Sequence, residues 1–457
     1  MSSPDATVLG TSGPISVHRT DYLPTHVLWH PTLNALGVET NPCHLAGSNV
    51  GVWTNLHAVD VTTQTRCSST RYCHDQPPNL HILTEATVHE ILLQQNGHDY
   101  TATGVRFACN GQDHVVSARR QVILSAGAIM SPQLLELSGI GNPDVLAKAG
   151  VPVKVNSPMV GENLQDHMMC EFILEVDPTL QNPDKLKQDE SLAKEALDVY
   201  TKDRKGPLTY MPCAFAYIPL NHLVPPPVLA DMHSRAGGLT GFDADKTATL
   251  KARYNGAAKL GQMEYIFDLG NWSPFFKGEP GKQYGTLLQL LQYPNAVGST
   301  HIKPSPSGKP SIEEKPSIDP CYYKGHNGQL DLDIMEQCAQ FAQRIVSTEP
   351  LASLIKAPAY PTASTLNDPS ELRRWIVDNS LTDWHPVGTC GMGGRAGIKT
   401  GVVDERLRVY RVPNLRVVDA SVMPLQLSTH PQATVYAIAE KAAHMILEDM
   451  EQDAATK

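Results

Sequence analysis

Gln121-Val122-Ile123-Leu124-Ser125-Ala126-Gly127-Ala128-Ile129-Met130-Ser131-Pro132-Gln133-Leu134-Leu135-Glu136-Leu137-Ser138-Gly139-Ile140-Gly141 holds the junction on which the fold turns. Its first seven residues read as a short, largely apolar strand. Ser131-Pro132 then marks the entry to a helix, because proline is favoured at a first helical position. Strand, small residues and helix in succession are how an open α/β sheet meets a nucleotide. Upstream, residues 79–93 alternate as a strand pair does, and Val105-Arg106-Phe107 and Val115-Val116-Ser117 continue the pattern. Asn96-Gly97 and Asn110-Gly111 supply the hairpin turns. Before Arg71 the chain is rich in Thr, Pro, His and Asn and reads as loops with one short helix around Leu33.

Downstream the character changes. Strand-like runs at 263–267, 285–292 and 298–302 are separated by charged and proline-rich segments at 181–205 and 303–320. Helical patterns follow at 330–346 and 368–377, which predicts an antiparallel sheet with helices behind it. The last segment puts two histidines into separate turn settings, Asp383-Trp384-His385-Pro386-Val387-Gly388 and Leu427-Ser428-Thr429-His430-Pro431-Gln432. Between them Asn414-Leu415-Arg416-Val417-Val418-Asp419-Ala420-Ser421 is a β-branched run that ends in an acid and two small residues, as a strand does when it delivers backbone to a ligand. Residues 433–443 read as an Ala-rich helix. His430 therefore stands at the positive end of a helix dipole, which suits an anionic or electron-rich partner.

These segments resemble the glucose-methanol-choline (GMC) oxidoreductases, flavoenzymes that oxidise alcohols. Gly127 to Gly141 matches that family's second signature at each defined position, Val160-Gly161-Glu162-Asn163-Leu164-Gln165-Asp166-His167 follows in the family's frame, and the likeness extends more loosely from about Gly37 to the C-terminus. The resemblance implies an α/β protein with mixed α+β character. Residues 1–170 would form a partial FAD-binding, Rossmann-like domain and 171–380 a substrate-binding domain with an antiparallel sheet backed by helices. Residues 381–457 would return to the FAD-binding domain and carry the active-site histidines.

One family element has no counterpart. The strand, G-x-G-x-x-G turn and helix that hold a dinucleotide pyrophosphate are missing, as is the family's first signature. Gly391-Met392-Gly393-Gly394-Arg395-Ala396 has no apolar strand before it and reads as a turn. The sequence is therefore expected to be an N-terminally truncated or split member, or an imperfect gene model, with weak affinity for FAD.

The resemblance implies FAD as cofactor, a small-molecule alcohol as substrate, aryl or polyketide-like alcohols of secondary metabolism among the candidates, and dioxygen or a quinone as electron acceptor. Alcohol oxidation needs the O–H proton taken as the C–H hydrogen leaves as hydride, and a neutral imidazole suits the first task. His385 is the expected base, with Trp384 as an apolar wall that favours the neutral ring. His430 matches a family position that is His or Asn and would hold the substrate oxygen. Alone, a histidine before proline in a chain with 18 histidines reads as a surface or core residue; two in matched frames read as a pair. His167 is as well explained by packing or capping as by catalysis. For the cofactor the resemblance implies Val88 at the adenine, Asp419 and Ala420 beside the ribityl chain and ring, and Pro431 and Gln432 at the helix start. Asp419 also suits an N-cap.

Composition bounds the rest. The 457 residues are 41% hydrophobic, with mean hydropathy −0.24, which fits a globular chain able to fill more than one domain. The net charge of −10 with no basic block argues against nucleic acid and anionic membrane as partners, and no apolar run approaches the ~20 residues of a membrane span. Nine scattered cysteines without a C-x-x-C pair argue against a disulfide framework and a metal site; the only local cluster, Cys67, Cys73 and His74, fits no common metal spacing. The sequon Asn271-Trp272-Ser273 carries little by itself. The competing function is a non-redox GMC-scaffold relative, either a pseudoenzyme or an acid-base cyclase or dehydratase. A serine hydrolase is disfavoured because no G-x-S-x-G elbow occurs.

Overall fold

The computed structural model describes residues 8, 10, 12–19, 24–73, 77–237, 244–255, 259–305, 308 and 310–455. His74 lies outside them. The largest sheet has seven antiparallel strands in the order Gly51–Thr54, Ala214–Ile218, Met263–Leu269, Gln283–Leu291, Met168–Val176 and Ile355–Tyr360, with Leu381–Thr382 also pairing on Met168–Val176. Its central strands alternate between two buried faces. In Met263–Leu269, for example, Met263, Tyr265, Phe267 and Leu269 enter one core, while Ile266 enters another together with Trp53, Phe215, Tyr217, Leu288 and Leu290.

The first of these cores is closed by the helix Gly325–Val346. Its buried residues Leu330, Ile334, Met335, Cys338, Phe341, Ala342 and Ile345 recur at helical spacing, so one stripe lies on the sheet. Tyr265 reaches across to donate to the Cys338 carbonyl at 3.0 Å. The helix Pro369–Asn379 adds Leu372, Trp375 and Ile376 to the same layer. Sequence and structure agree on an antiparallel sheet backed by helices.

A second core gathers around two smaller sheets. One is the meander Ala86–Asn96, Asp99–Cys109 and Gln112–Ser117, whose turns fall at the two Asn-Gly pairs. Asn110 and Gly111 have φ of 51° and 72°, in the left-handed region, as a two-residue hairpin loop requires. The other sheet joins Arg408–Val409, Val412–Val417 and Val122–Leu124, the last pair running parallel.

Two local expectations are corrected. Gly51–Thr54, expected as loop, is an edge strand of the large sheet, and Trp29 of the helix Trp29–Ala35 stacks near Phe267 at 6.2 Å. Four residues are too few to show an alternation in sequence. The helix after Val122–Leu124 starts at Gly127, whose φ of 83° makes the sharp turn, and Pro132 lies inside it. Proline removes the N–H that would have bonded to the carbonyl four residues back. That carbonyl, on Ala128, instead accepts the Thr389 hydroxyl at 2.6 Å. Thr389→Val, which keeps the shape and removes the donor, is expected to lower unfolding stability by about 1–3 kcal/mol, read as a shifted denaturant midpoint.

Candidate active site

The two parallel strands end side by side, Val417 opposite Leu124. Beyond those ends Asp419 caps the short helix Ala420–Val422, accepting from Ser421 N at 2.8 Å, and also accepts Gly127 N at 2.9 Å and the Ser131 hydroxyl. Its carboxylate thus has the capping role weighed from sequence, and it also ties the strand–helix junction at Gly127 to the C-terminal segment. Ala420 sits beside it at the crevice where open α/β sheets place ligands.

From there the chain reaches the histidines. The His385 loop is pinned on every side: Asp383 N donates to the His167 carbonyl at 3.0 Å, Trp384 N to the Thr382 hydroxyl at 2.8 Å, and His385 N to Asp166 Oδ1 at 2.9 Å. Gln426 Nε2 donates to the His385 carbonyl at 2.8 Å. These bonds hold Trp384 at φ 56°, a strained conformation for a bulky residue. The indole is 69% exposed, so Trp384 is not the apolar wall expected beside His385; the left-handed turn swings it outward. Burial pushes the Asp166 carboxyl up, against hydrogen bonds from Thr382, Tyr322 and His385 N. At Gly388, φ 96°, a Cβ would lie 2.2 Å from the Asn163 carbonyl. Only glycine permits the loop to approach the 160s segment so closely.

The imidazole of His385 meets a third histidine. His167, completely buried, places Nδ1 3.0 Å from His385 Nδ1 and Nε2 2.9 Å from the Leu427 carbonyl. Burial, then the neighbouring His385, hold His167 well below the ordinary histidine pKa, so it is neutral. A carbonyl only accepts, so the proton of His167 is on Nε2 and its Nδ1 is an acceptor. His385 must then donate from Nδ1, which also lies 2.9 Å from Asp383 Oδ2. A neutral His385 in this tautomer presents an unprotonated Nε2. His167, Asp383 and His385 also offer atoms within 4.8 Å of one another that could hold a metal. His167 already uses both nitrogens, which fits a hydrogen-bonded chain better than a coordination sphere.

His430 stands with its ring 5.0 Å from that of His385, inclined by 47°. Its Nε2 is 3.0 Å from Glu264 Oε1, and Glu264 is wholly buried on the large sheet. Burial alone would lower the His430 pKa, but the charge and hydrogen bond of Glu264, aided by Asp383, raise it to about 9. The ring is therefore an imidazolium at neutral pH. Pro431 and Gln432 open the 24-residue helix Gln432–Ala455, which has no acid in its first turn. The helix at Gly127, by contrast, already has its first N–H taken by Asp419.

The structure thus brings together His385, His430, Pro431 and Gln432. Asp419 and Ala420 lie at the sheet end, and Val88 is in the meander, beside a β-bulge between Val88 and Glu90. Sequence reasoning missed Asp383 and Glu264 and left His167 undecided. One signal was available: Glu264 is an acid inside the apolar run Met263-Glu264-Tyr265-Ile266-Phe267, and buried charge is retained only with a partner.

Comparison with known proteins bears on the family and the fold. Two sequence models described as GMC oxidoreductase match residues 54–169 and 294–439. A dehydrogenase of Monascus purpureus is 32% identical over 431 residues, covering 88% of this chain and 67% of that protein. A GMC oxidoreductase family protein of Malassezia sympodialis is 32% identical over 415 residues, covering 88% of this chain and 62% of its own length. Among solved structures, an FAD-dependent oxidoreductase from Chaetomium thermophilum superposes with TM-score 0.84 at 24% identity, over 98% of this chain and 76% of that one. A formate oxidase of Aspergillus oryzae superposes with TM-score 0.81 at 23% identity, over 97% and 74%. At these identities the structural likeness establishes the fold.

Proposed function

We propose that this chain, which belongs to the GMC oxidoreductase family, carries the alcohol-oxidising site of an FAD-dependent oxidoreductase acting on CH–OH groups. The observation that carries this reading is the histidine chain: His167 holds His385 through Nδ1, which leaves Nε2 outside that hydrogen bond, with the ring 5.0 Å from that of a protonated His430. A base and a charged donor side by side can take a proton from an alcohol while stabilising the oxygen it leaves behind.

The residues fit the ring end of a flavin. The helix start at Pro431 and Gln432 carries no acid against an electron-rich ring edge, and the crevice at Asp419 and Ala420 lies at the carboxyl ends of two parallel strands. Val88 is proposed at the adenine, on the strength of the family frame and the bulged backbone beside it. FAD, when bound, supplies the hydride acceptor.

In this reading His385 Nε2 receives the substrate O–H proton. Its Nδ1–H remains held by His167 and faces Asp383, which stabilises the imidazolium that forms. His430 donates to the substrate oxygen, and Glu264 keeps His430 charged. The division at about residue 170 and again at 380 is kept as a functional one, with substrate contacts coming from the large sheet. Among the described residues no helix is long and apolar enough to cross a membrane, and a small-molecule alcohol with dioxygen or a quinone as acceptor completes the proposal.

The test is anaerobic mixing of the FAD-loaded chain with a panel of primary aliphatic, benzylic and polyketide-like alcohols, followed by the flavin's visible absorption. Bleaching by at least one alcohol is expected. A flavin that stays oxidised across the panel, yet is bleached by dithionite, overturns the reading. Glu264→Gln gives a sharper prediction. His430 is raised to about 9, so its charge is present below that value and lost as pH rises through it. Removing Glu264 removes the dominant raising influence, and the alkaline limb of flavin reduction is expected to move to lower pH, measured by stopped-flow rates across pH.

A further inference from the structure

Outside the histidine pair, three buried side chains from distant parts of the sequence meet in a row. Cys213, at the entry to the strand Ala214–Ile218, has Sγ 3.2 Å from His26 Nδ1, and His26 Nε2 is 3.0 Å from Asp268 Oδ1. Their residues are 2%, 4% and 8% exposed. Asp268 and Glu264 are even-spaced on one strand, about 13 Å apart at ~3.3 Å per residue, so a single strand supports a histidine near each end.

Cys213 and His26 border a cleft of about 450 Å³, also lined by Val27, Thr54 and Trp53, with His44 stacked on the indole at 3.9 Å and 2°. Trp53 also stacks on Phe215 at 5.3 Å, and Phe215 in turn meets the His430 ring edge-on at 5.7 Å. The aromatic wall therefore separates this cleft from the histidine pair. The volume suits a small molecule, and the flat wall suits a planar one.

The order of atoms sets the chemistry. Asp268 as a carboxylate accepts the Nε2 proton of His26, which leaves the Nδ1 lone pair facing the thiol. A thiol, a base and an acid that orients the base are the parts of an activated nucleophile. Burial, with Asp268 adding to it, pushes the Cys213 thiol up to about 12. The resting form is thus S–H, and the nucleophile forms only as the proton moves to His26. The other buried thiols, Cys67, Cys170, Cys338 and Cys390, have no ring nitrogen as hydrogen-bond partner among the described residues.

We propose that Cys213, His26 and Asp268 form a covalent capture site for small, planar, conjugated carbonyl compounds. As Sγ bonds to the β-carbon of the electrophile, the thiol proton passes to His26 Nδ1 and the C=C electron pair moves towards the carbonyl. His26 then returns the proton to the α-carbon. The product is a thioether in which S–H has added across the double bond, with no leaving group and no redox partner. Asp268 stabilises the imidazolium between the two transfers.

The test uses the full chain with N-ethylmaleimide and N-phenylmaleimide, both conjugated carbonyl electrophiles, and mass mapping of the nine cysteines against time. Cys213 is expected to label at least about tenfold faster than the other four buried thiols, and its rate is expected to saturate with N-phenylmaleimide concentration. His26→Gln is expected to slow Cys213 by about a hundredfold while the rate at Cys43 is unchanged. Asp268→Asn, checked for native circular dichroism, provides the same comparison with the ring retained. Labelling of Cys213 no faster than Cys170, Cys338 and Cys390 in the parent chain overturns the proposal, as does a rate that is indifferent to both substitutions in folded protein.

Discussion

His385→Ala is expected to reduce the rate of flavin reduction by alcohol about 10²–10⁴-fold, the usual effect of removing a general base, while FAD content stays near that of the parent chain. The expectation follows from the hydrogen bonds around the ring. The backbone at His385 is fixed through Asp166 and Gln426, so deleting the imidazole leaves the loop in place. What is lost is the acceptor at Nε2. His385→Asn does no better, because an amide cannot take a proton at neutral pH. His430→Asn should retain more activity: the amide keeps a donor, and the loss should resemble one altered hydrogen bond to a charged group, about 1.5–3 kcal/mol. Stopped-flow reduction of the three variants measures this. A larger loss in His430→Asn than in His385→Asn would exchange the roles of the two residues.

Glu136→Ala is expected to cost about 3–5 kcal/mol of stability, the range for breaking a buried ion pair by removing one member. Glu136 is wholly buried in the helix Gly127–Leu137, accepting from His301 Nδ1 at 2.7 Å and Ile302 N at 2.8 Å, while Glu162 takes the other nitrogen of His301 at 3.1 Å. The imidazolium thus fastens this helix to the strand Ser299–His301. Burial opposes the charge on His301, but the two carboxylates raise it from 6.5 to about 9. A raised histidine contributes fully below its unfolded value and loses its contribution as pH climbs through the folded one. Burial also raises Glu136, whose ionisation then weakens the fold as pH rises above the ordinary carboxyl value. Both act in the same direction. The denaturant midpoint should fall between pH 6.5 and about 9, and His301→Gln should flatten that part of the curve.

Much of the architecture could be read from local chemistry, and the exceptions have identifiable causes. The hairpins were legible because Asn-Gly tolerates positive φ where other pairs do not. The helix stripe of Gly325–Val346 was legible because seven core residues recur at one period, although its first turn, Gly325 to Gln329, carries no apolar residue and extends the helix ahead of the expected start. Pro132 misled because a local rule places proline at a helix start, whereas here a hydroxyl 257 positions away supplies what the proline removed. His385 and His430 were found from their frames, but the groups that set their protonation were not. His167 is 218 residues from His385, and Glu264 is 166 from His430. Distances of that kind leave no mark on a sequence window, and they decide which nitrogen carries a proton.

The same long reach governs when the protein can finish folding. Gly127 is joined to Asp419 across 292 residues and Asn49 to Ser428 across 379. During synthesis, the helix that begins at Gly127 must therefore wait for a carboxylate made 292 residues later, and the Asn49 side chain for a segment 379 residues on. Loop-closure entropy of this order slows assembly and leaves apolar surface open to aggregation in the interval. Recovery of soluble chain should accordingly depend on growth temperature and on chaperone supply more than on any single contact described above, and every truncation that removes residues 412–430 should leave the N-terminal half without the strand and carboxylate it closes upon.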